Sequence, residues 1–419
     1  MARRVRKLSG PEGSAVGEPL VIIGNGMATV HLVEELAKRA LGRFAVAVIG
    51  EEPRLAYNRV LLSAVLAQEV SRSDIELRPA GWWRERGVTL LYGRTATAID
   101  PTIRRVRLAD GATLPYARLV LATGSRPIRI GVPGMDLPGV MTFREHGDVA
   151  AIQATAARLP KAVVIGGGLL GLEAAYGLAK LGSQVTVVHL MDRLMERQLD
   201  GHAAGLLKRA LETRRISVLL KAETIAIRGK DRVHVVALKD GTEIEADLVV
   251  VAAGIRANVE LAYSAGLGVD RGILVDDLLQ ASRPGIYAIG ECAEHRGICY
   301  GLVEPAYEQA RVLAAHLAGE TVHYPGSVTA TNLKVSGVNV FSAGDFLGAP
   351  GTEQLLFFDQ GLGTYKKLIV RDARLVGAVL FGDTADGLWY LDLIRSGASI
   401  EAIRDDMMFG RALAEREAA

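Results

Sequence analysis

Two stretches of the chain decide the fold: LVIIGNGMATVHLVEELAKRALGRFAVAVIGEE at residues 20–52 and KAVVIGGGLLGLEAAYGLAKLGSQVTVVHL at residues 161–190. Each contains a short β-branched run, a glycine-rich turn, a segment with helical apolar spacing and a second apolar run. Each therefore predicts a βαβ unit that places a pyrophosphate on a helix N-terminus, where unpaired amides and the helix dipole favour negative charge. Glycine is needed in the turn because a side chain would hold the phosphates away from those amides.

The two turns differ in how closely they follow the G-x-G-x-x-G fingerprint. The second turn has all three glycines, whereas the first has Gly24 and Gly26 followed by Thr29 at the third position. Because the two glycines that face the pyrophosphate are kept, we expect Thr29 only to widen the contact between helix and strand slightly. Glu51, just past the second strand of the first unit, is placed to accept hydrogen bonds from two hydroxyls of an adenosine ribose. The second unit ends its strand at His189 instead.

Two such units in one chain imply two dinucleotides, a flavin that stays bound and a nicotinamide that exchanges. The segments 119–127 and 248–258 are apolar strands that break into small-residue turns, as expected where a chain crosses between two nucleotide domains. The segment PGIYAIGECAE at 284–294 would bring Glu291 to the ribityl and pyrophosphate region of the flavin. A helix is predicted to open at Pro305, a favoured first-turn residue, with its N-terminus towards the flavin pyrimidine.

Bulk properties limit the class of protein. The chain has 419 residues, 49% hydrophobic and 23% charged residues, and 47 glycines, which indicates an α/β protein of two or three domains. A net charge of +2 gives no general attraction to nucleic acid or anionic membrane. Since no apolar window is long enough for a membrane span, we expect a cytoplasmic protein. The predicted parts are a frayed basic tail at 1–18, a FAD-binding domain at 19–142 and 258–326, an NAD(P)-binding domain at 143–257, and a C-terminal α+β domain at 327–419.

The fold class is therefore α/β, with two Rossmann-like dinucleotide-binding domains and a C-terminal α+β domain that we expect to shield the flavin and to provide a homodimer face. The chain has two cysteines, Cys292 and Cys299, with six residues between them. A flavin-linked redox disulfide would usually be a tighter pair, and an iron–sulfur cluster would need about four thiolates. We therefore expect two ordinary thiols, with neither a cluster nor a metal site.

The order of motifs GNGMA, GEEPRLAYNRVLLS, LATGSRP, GGGLLGLEAA, VVHLMDRLMERQLD, AAGIRAN and IYAIGECAEHRGICYGLVEPAYEQA resembles the two-dinucleotide flavoprotein reductases. More narrowly, the chain is similar over about residues 20–410 to the flavin-binding N-terminal part of the large subunit of bacterial assimilatory NAD(P)H nitrite reductase. The resemblance implies FAD bound through Gly24, Gly26, Glu51 and Glu291, with Arg59 close to the flavin phosphate side, and nicotinamide bound through Gly166, Gly168 and Gly171.

The complete candidate sets add neighbours of these residues. The FAD set is Gly24, Gly26, Met27, Ala28, Glu51, Arg59, Ala122, Thr123, Gly124, Gly290, Glu291 and Glu308. The NAD(P) set is Gly166, Gly168, Leu169, Leu170, Gly171, His189, Arg193, Arg197, Ala253 and Gly254.

The departures from the family pattern also matter. Relatives that reduce ferredoxins often have a lysine just after LS, near the flavin, paired with the glutamate of GLE. Here that position is Ala64, so Glu173 lacks its usual partner and is a candidate catalytic residue without an assigned role. A full nitrite reductase continues into cysteine-rich cluster and sirohaem segments that these residues do not contain, so we do not expect them to reduce nitrite by that chemistry.

The choice between NADH and NADPH stays open from the sequence. An acid at the end of the second strand would bind the two ribose hydroxyls of NADH and repel a 2′-phosphate, and His189 does neither strongly. Arg193 and Arg197 are close enough in sequence to receive a phosphate, whereas Asp192 adds negative charge.

The expected reaction is a relay in which NAD(P)H reduces the flavin and the electrons then leave singly for an outside acceptor. The favoured acceptor is a separate nitrate- or nitrite-reducing catalytic subunit. Two alternatives stay open: a reductase for rubredoxin or ferredoxin, which are small iron–sulfur carriers, and a slow-turnover redox-sensing flavoprotein.

Overall fold

The computed structural model of the protein describes residues 17–158, 161–335 and 337–415. These residues form two compact units. The first contains the described residues up to Tyr57, Glu76–Ser125 and Ala257–Gly326, and the second contains Asn58–Ile75, Arg126–Arg256 and the described residues from Ser327 onward. The predicted basic tail at 1–18 lies outside the described residues, apart from its last two positions.

In chain order the strands are β1 (Glu18–Ile23), β2 (Phe44–Gly50), β3 (Thr89–Tyr92), β4 (Ala96–Asp100), β5 (Arg105–Leu108), β6 (Thr113–Pro115), β7 (Arg118–Leu121), β8 (Ser125–Pro127), β9 (Val140–Thr142), β10 (Lys161–Ile165), β11 (Gln184–Val188), β12 (Ile216–Leu219), β13 (Thr224–Arg228), β14 (Val235–Leu238), β15 (Glu243–Glu245), β16 (Leu248–Val251), β17 (Ile255–Ala257), β18 (Ile273–Val275), β19 (Ile286–Ala288), β20 (Ala293–His295), β21 (Ala330–Val335), β22 (Val338–Gly344), β23 (Glu353–Asp359), β24 (Thr364–Arg371) and β25 (Arg374–Phe381). The α-helices are α1 (Met27–Arg39), α2 (Leu62–Leu66), α3 (Ala80–Glu85), α4 (His146–Ala156), α5 (Leu169–Lys180), α6 (Gly201–Glu212), α7 (Glu260–Ser264), α8 (Val303–Ala318), α9 (Gly387–Ser396) and α10 (Arg411–Ala414). Within the described residues, no helix combines the length and apolarity needed to cross a membrane.

The first unit is built on a five-stranded parallel sheet with the order β3-β2-β1-β7-β19. The apolar run of β1 is buried on both faces, as is typical of a central strand in a parallel sheet. Helices α1 and α8 cover one face with residues such as Leu32, Leu36 and Leu313. Chain order reverses between β1 and β7, so the turn after β1 and the loop after β7 meet at the carboxyl edge of the sheet, where nucleotides bind in such folds.

The second unit repeats this arrangement with a parallel sheet of order β12-β11-β10-β16-β9. Chain order reverses between β10 and β16. The observed units divide the chain differently from the predicted domains, because β9 pairs with β16 and α2 packs on α4 and α5. Gln153 Nε2 donates to the Val65 carbonyl at 2.8 Å, which ties residues 58–75 to the second unit. The predicted limits of the FAD-binding and NAD(P)-binding domains, which concern ligand binding, stay a prediction.

The C-terminal part of the second unit is a five-stranded antiparallel sheet, β21-β22-β25-β24-β23, with α9 against it. Its core includes Phe341, Leu368 and the buried Tyr390, whose hydroxyl donates to the Met407 carbonyl at 2.6 Å. The predicted fold class, two Rossmann-like domains with a C-terminal α+β domain, is confirmed. The shielding of the flavin by this domain stays a prediction.

A buried polar cluster joins the C-terminal sheet to the nucleotide-binding part of the second unit. Asp200 caps the start of α6 by accepting from the Ala203 amide at 2.9 Å. Its other carboxylate oxygen accepts a hydrogen bond from the Tyr365 hydroxyl at 2.7 Å and lies 3.5 Å from Lys367 Nζ. Both partners are on β24, so one carboxylate holds α6 to the sheet.

Candidate functional site

Both phosphate turns end at a helix whose first amides have no described side-chain partner. Gly26 and Gly168 are the N-cap residues of α1 and α5; neither helix has a described side-chain cap or an acid in its first turn. A Cβ at either glycine would have no described atom within 4 Å. Unpaired amides beside open space fit the pyrophosphate of a dinucleotide, because the ligand then supplies the missing acceptors.

The first glycine of each turn is required by close backbone approach. Gly24 has φ +116° and Gly166 has φ +128°. A Cβ on Gly24 would lie 2.0 Å from the Ala122 carbonyl oxygen, and one on Gly166 would lie 2.2 Å from that of Ala252. The loop after β7 therefore packs directly against the first turn, which brings Ala122 to the edge of its sheet where that turn lies. In the second unit the loop after β16 packs against the second turn in the same way and brings the predicted Ala253 and Gly254 to the corresponding edge.

Thr29 and Gly171 occupy the same place in the two units and close the turn differently. Thr29 is fully buried, and its hydroxyl donates to the Gly24 carbonyl at 2.7 Å. At Gly171 a Cβ would lie 2.0 Å from the Gly166 carbonyl oxygen, so only glycine fits there. The departure from the fingerprint at Thr29 is thus compensated by a hydrogen bond.

The loop after β7 is fastened to the return strand of the first unit. Thr123 Oγ1 donates to the Asn258 carbonyl at 2.7 Å, and Asn258 Nδ2 donates to the Thr123 carbonyl at 2.9 Å. The Asn258 amide donates to the Gly124 carbonyl at 2.9 Å. These bonds fix Thr123 and Gly124 at the carboxyl edge, beside the first turn.

The Gly290-Glu291 segment lies beside the start of α1, and the place of Glu291 near the ribityl chain and pyrophosphate of the flavin stays a prediction. A Cβ on its neighbour Gly290, which has φ +79°, would lie 3.3 Å from Ala28 Cβ. The Gly290 amide donates to the buried Gln309 Oε1 at 2.7 Å, and Glu291 Oε2 accepts from Ser125 Oγ at 2.7 Å. The sequence did not single out Gln309 or Ser125, although these two side chains position the Gly290-Glu291 segment.

The other flavin candidates are distributed over both units. Glu51 is exposed just after β2 and makes no hydrogen bond or ion pair with the described residues, so its carboxylate is available to a ribose. Met27 begins α1, and Glu308 is a half-buried residue of α8. Arg59 begins a short 3₁₀ turn in the second unit, and its place near the flavin phosphate stays a prediction.

Helix α8 begins two residues before the predicted start. Its first residue is Val303, and Pro305 is buried in the first turn. Proline is tolerated there because the first amides of a helix have no intrahelical acceptor. Whether this N-terminus faces the flavin pyrimidine stays a prediction.

His189 is buried and turns back to the phosphate loop. Its Nδ1 accepts from the Gly167 amide at 3.0 Å, and its Nε2 lies 3.2 Å from Glu196 Oε2. Both ring nitrogens are therefore engaged, which argues against His189 itself as a ribose ligand. Strand pairing also shows which residue of the first unit corresponds to His189. Ile23 pairs with Ile49 and Ile165 with Val188, so the structural equivalent of His189 is Gly50.

The two candidate phosphate-binding arginines differ in availability. Arg193 is half-buried; its Nη1 donates to Asp192 Oδ1 at 3.1 Å, and its Nε donates to the Leu199 carbonyl at 3.4 Å. Arg197 is exposed and forms no ion pair with the described residues. Leu169 and Leu170, also in the predicted set, form the first turn of α5.

Glu173 is a half-buried residue of α5. Desolvation raises its pKa from the ordinary 4.5 to about 7, and a hydrogen bond from Ser63 lowers the pKa in part. The lysine expected from the resemblance is replaced by Ala64 in the short helix that packs on α5. The carboxyl group is therefore close to half protonated at neutral pH.

Cys292 and Cys299 are both free thiols. Cys292 is fully buried, and burial raises the pKa of both thiols. A buried thiol with a raised pKa is a poor nucleophile, which agrees with the prediction of two ordinary cysteines.

Residues 18–316 match the family described as pyridine nucleotide-disulphide oxidoreductase, and residues 330–398 match the rubredoxin NAD+ reductase C-terminal domain. The chain is 48% identical over 382 residues to a nitrite reductase [NAD(P)H] of Bacillus subtilis, covering 91% of this chain and 48% of that protein. It is 44% identical over 374 residues to the assimilatory nitrate reductase electron transfer subunit of the same organism, covering 89% and 48%.

The chain thus spans about half the length of these curated relatives. Among solved structures it is similar to a ferredoxin reductase from Rhodopseudomonas palustris, with a TM-score of 0.84, 27% identity, and coverage of 96% of this chain and 100% of that one. The family match spans most of the chain and includes both phosphate turns. The chain therefore belongs to the pyridine nucleotide-disulphide oxidoreductase family, and it is an oxidoreductase that uses FAD and NAD(P)H.

Proposed function

We propose that this chain takes electrons from NAD(P)H through FAD and delivers them to a separate redox partner, as the electron-transfer component of assimilatory nitrate or nitrite reduction. The observation that supports this most directly is the pair of phosphate turns, each followed by helix amides that have no side-chain partner among the described residues and lie beside open space. When bound, FAD supplies the change from two-electron to one-electron transfer. The protein supplies binding, orientation and a place for protons.

In the first unit the proposed role of the chain is to hold the flavin permanently. The amides after Gly26 bind the pyrophosphate, and Glu51 accepts the ribose hydroxyls. Glu291, positioned by Ser125 and by the packing of Gly290 on Ala28, lies next to the pyrophosphate turn and orients the ribityl chain.

In the second unit the proposed role is reversible binding of NAD(P)H. The amides after Gly168 bind its pyrophosphate. Glu173, with a pKa of about 7, holds a proton at its carboxyl oxygen for about half the time at neutral pH. It is the one acidic residue of α5, and its pKa near neutrality suits it to take up or release a proton during turnover.

The partner is proposed from the relatives. Two of them are named as a nitrite reductase and as the electron transfer subunit of assimilatory nitrate reductase, and both match this chain over about half of their own length. A nitrate- or nitrite-reducing centre is therefore the proposed acceptor. A reductase that draws on the cellular NAD(P)H pool is expected in the cytoplasm, and a homodimer formed through the C-terminal domain stays a prediction.

A second candidate function is supported by the C-terminal domain. Residues 330–398 match the C-terminal domain of rubredoxin NAD+ reductase, and a ferredoxin reductase shares the fold over nearly the whole chain. A small iron–sulfur carrier is thus the alternative acceptor, with the same chemistry in the two dinucleotide sites.

The two candidates are separated by one experiment in two steps. Anaerobic stopped-flow absorbance of the purified holoprotein follows bleaching of the flavin after mixing with NADH or NADPH. The reduced protein is then mixed with a rubredoxin, a ferredoxin or a nitrite-reducing partner subunit, and the return of flavin absorbance is timed. If flavin absorbance returns fast only with the nitrite-reducing subunit, the proposal is supported. If it returns fast only with rubredoxin or ferredoxin, the alternative is supported. If neither nucleotide bleaches the flavin, the reductase function is wrong.

A further inference from the structure

A continuous hydrogen-bonded path leads from the second phosphate turn to Glu196, an acidic residue outside the predicted NAD(P) set. The Gly167 amide donates to His189 Nδ1 at 3.0 Å, and His189 Nε2 lies 3.2 Å from Glu196 Oε2. His189 is 7% exposed, whereas a quarter of the Glu196 side chain is exposed. The path thus starts in the buried turn and ends at a carboxylate that a ligand can reach.

The direction of these bonds fixes the proton on the ring. Since an amide N–H can only donate, Nδ1 must present its lone pair to Gly167. The proton of the neutral imidazole is then on Nε2, where it is donated to Glu196. This arrangement leaves Glu196 Oε1 and the remaining lone pairs of Oε2 available as acceptors.

The ring also explains why the turn has glycine at its middle position. A Cβ on Gly167 would lie 2.6 Å from His189 Cγ and 2.7 Å from Leu194 Cδ2. No residue with a side chain fits unless the ring moves. His189 is therefore packed into the turn and does not extend to a ribose.

The position that corresponds to the ribose-binding acid of the first unit is apolar. Because Gly50 is the equivalent of His189, the equivalent of Glu51 is Leu190, which is 61% exposed. The acid that would select NADH must therefore come from another position in the loop after β11. Among the acids of that loop, Asp192 pairs with Arg193, while Glu196 is directed to the strand end by His189.

We propose that Glu196 is the specificity-determining acid of the NAD(P)H site, and that His189 is a positioning residue that holds it there; this rests on the proposed NAD(P)H-binding role of the second unit. Its carboxylate accepts hydrogen bonds from the two ribose hydroxyls of NADH. The same charge repels the 2′-phosphate of NADPH. The exposed Arg197 opposes this repulsion only from a solvated position, where a charge contributes little. The protein therefore prefers NADH.

The test compares kcat/KM for NADH and for NADPH in the holoprotein, with an artificial electron acceptor. The main variant is Glu196→Gln, which removes the charge and keeps an oxygen that can accept from His189. We expect the wild type to prefer NADH and the variant to lose this preference by about tenfold, through a higher KM for NADH at unchanged kcat. The matched control is Asp192→Asn, the same charge change in the same loop, which should alter the ratio by less than about twofold.

Two histidine variants separate positioning from support of the turn. In His189→Asn the amide oxygen takes the place of Nδ1 for the Gly167 amide but cannot reach Glu196. We expect it to reproduce most of the effect of Glu196→Gln, with no further change in the double variant. In His189→Gln the longer side chain still reaches Glu196 but no longer accepts the hydrogen bond from the Gly167 amide. It should keep the preference for NADH while raising KM for both nucleotides.

The inference is wrong if the wild type prefers NADPH, if Glu196→Gln leaves the ratio unchanged, or if Asp192→Asn changes it equally. Dissociation constants of NAD⁺ and NADP⁺ from calorimetry on the same variants keep this test independent of turnover. If neither nucleotide reduces the flavin but the ratio of dissociation constants shifts as expected, the proposed function fails and the role of Glu196 stands.

Discussion

Replacing Glu173 by glutamine should stabilise the protein, and the gain should grow with pH. Glu173 lies half-buried on α5, where desolvation raises its pKa from 4.5 to about 7. The hydrogen bond from Ser63 offsets only part of this shift. The folded protein therefore holds a proton on this carboxyl group that the unfolded chain has already released.

The sign and size of this stability change follow from the linkage between proton binding and folding. Below the ordinary pKa of 4.5 the carboxyl group is protonated in both states, and burial costs no ionisation energy. Between pH 4.5 and about 7 only the folded state keeps the proton, so the free energy of unfolding falls as pH rises. Above pH 7 the full cost is present. At roughly 1.4 kcal/mol for each tenfold change in acidity, the cost is about 3 kcal/mol.

The assay is urea denaturation followed by circular dichroism, with saturating FAD, at about pH 5 and about pH 8. We expect Glu173→Gln to be more stable than the wild type by about 3 kcal/mol at the higher pH and by much less at the lower one. Ser63→Ala is the matched companion. Because it removes a bond that favours the ionised carboxylate, it should lose stability mainly at the higher pH. An equal difference between Glu173→Gln and the wild type at both pH values would refute the desolvation argument.

Three further outcomes are expected. Gly168→Val should abolish NAD(P)H oxidation and leave flavin content unchanged, since its Cβ would have no described atom within 4 Å and the side chain would enter the proposed phosphate space. Gly26→Val should instead lose flavin, and the reverse pattern would exchange the two assignments. Thr29→Val should lower the free energy of unfolding by about 1 to 3 kcal/mol in urea denaturation, because the part-buried Gly24 carbonyl loses its hydroxyl donor; no loss would show that the bond is not needed. Tyr365→Phe should cost about 2 kcal/mol in the same assay through the hydrogen bond to Asp200, and an unchanged midpoint would contradict that role.

The sequence was sufficient for the elements that bind the pyrophosphates. The second predicted unit agrees with β10, α5 and β11, because a central parallel strand is buried on both faces and appears as a continuous apolar run. The glycine turns were equally visible, since close backbone approach and positive φ leave few other residues possible. These features depend on local chemistry, which a single sequence contains.

Contacts between distant segments were not visible in the same way. Residues 58–75 follow elements of the first unit in the chain, yet α2 packs on helices of the second, with Leu66 against Gly177. Likewise, Ser125 and Gln309 position the Gly290-Glu291 segment across many residues of sequence. No periodicity or motif indicates such partners, because they are selected by tertiary packing.

The difference between Glu51 and His189 has a specific physical origin. In both units the middle residue of the turn and the residue that ends the second strand share one space, which holds only one side chain. In the first unit Asn25 fills it, and a Cβ on Gly50 would lie 2.6 Å from Asn25 Cβ. In the second unit the imidazole fills it and the turn residue is glycine. Because both ring nitrogens of His189 are engaged, we assign the ribose-binding acid to the following loop, where Glu196 meets the ring.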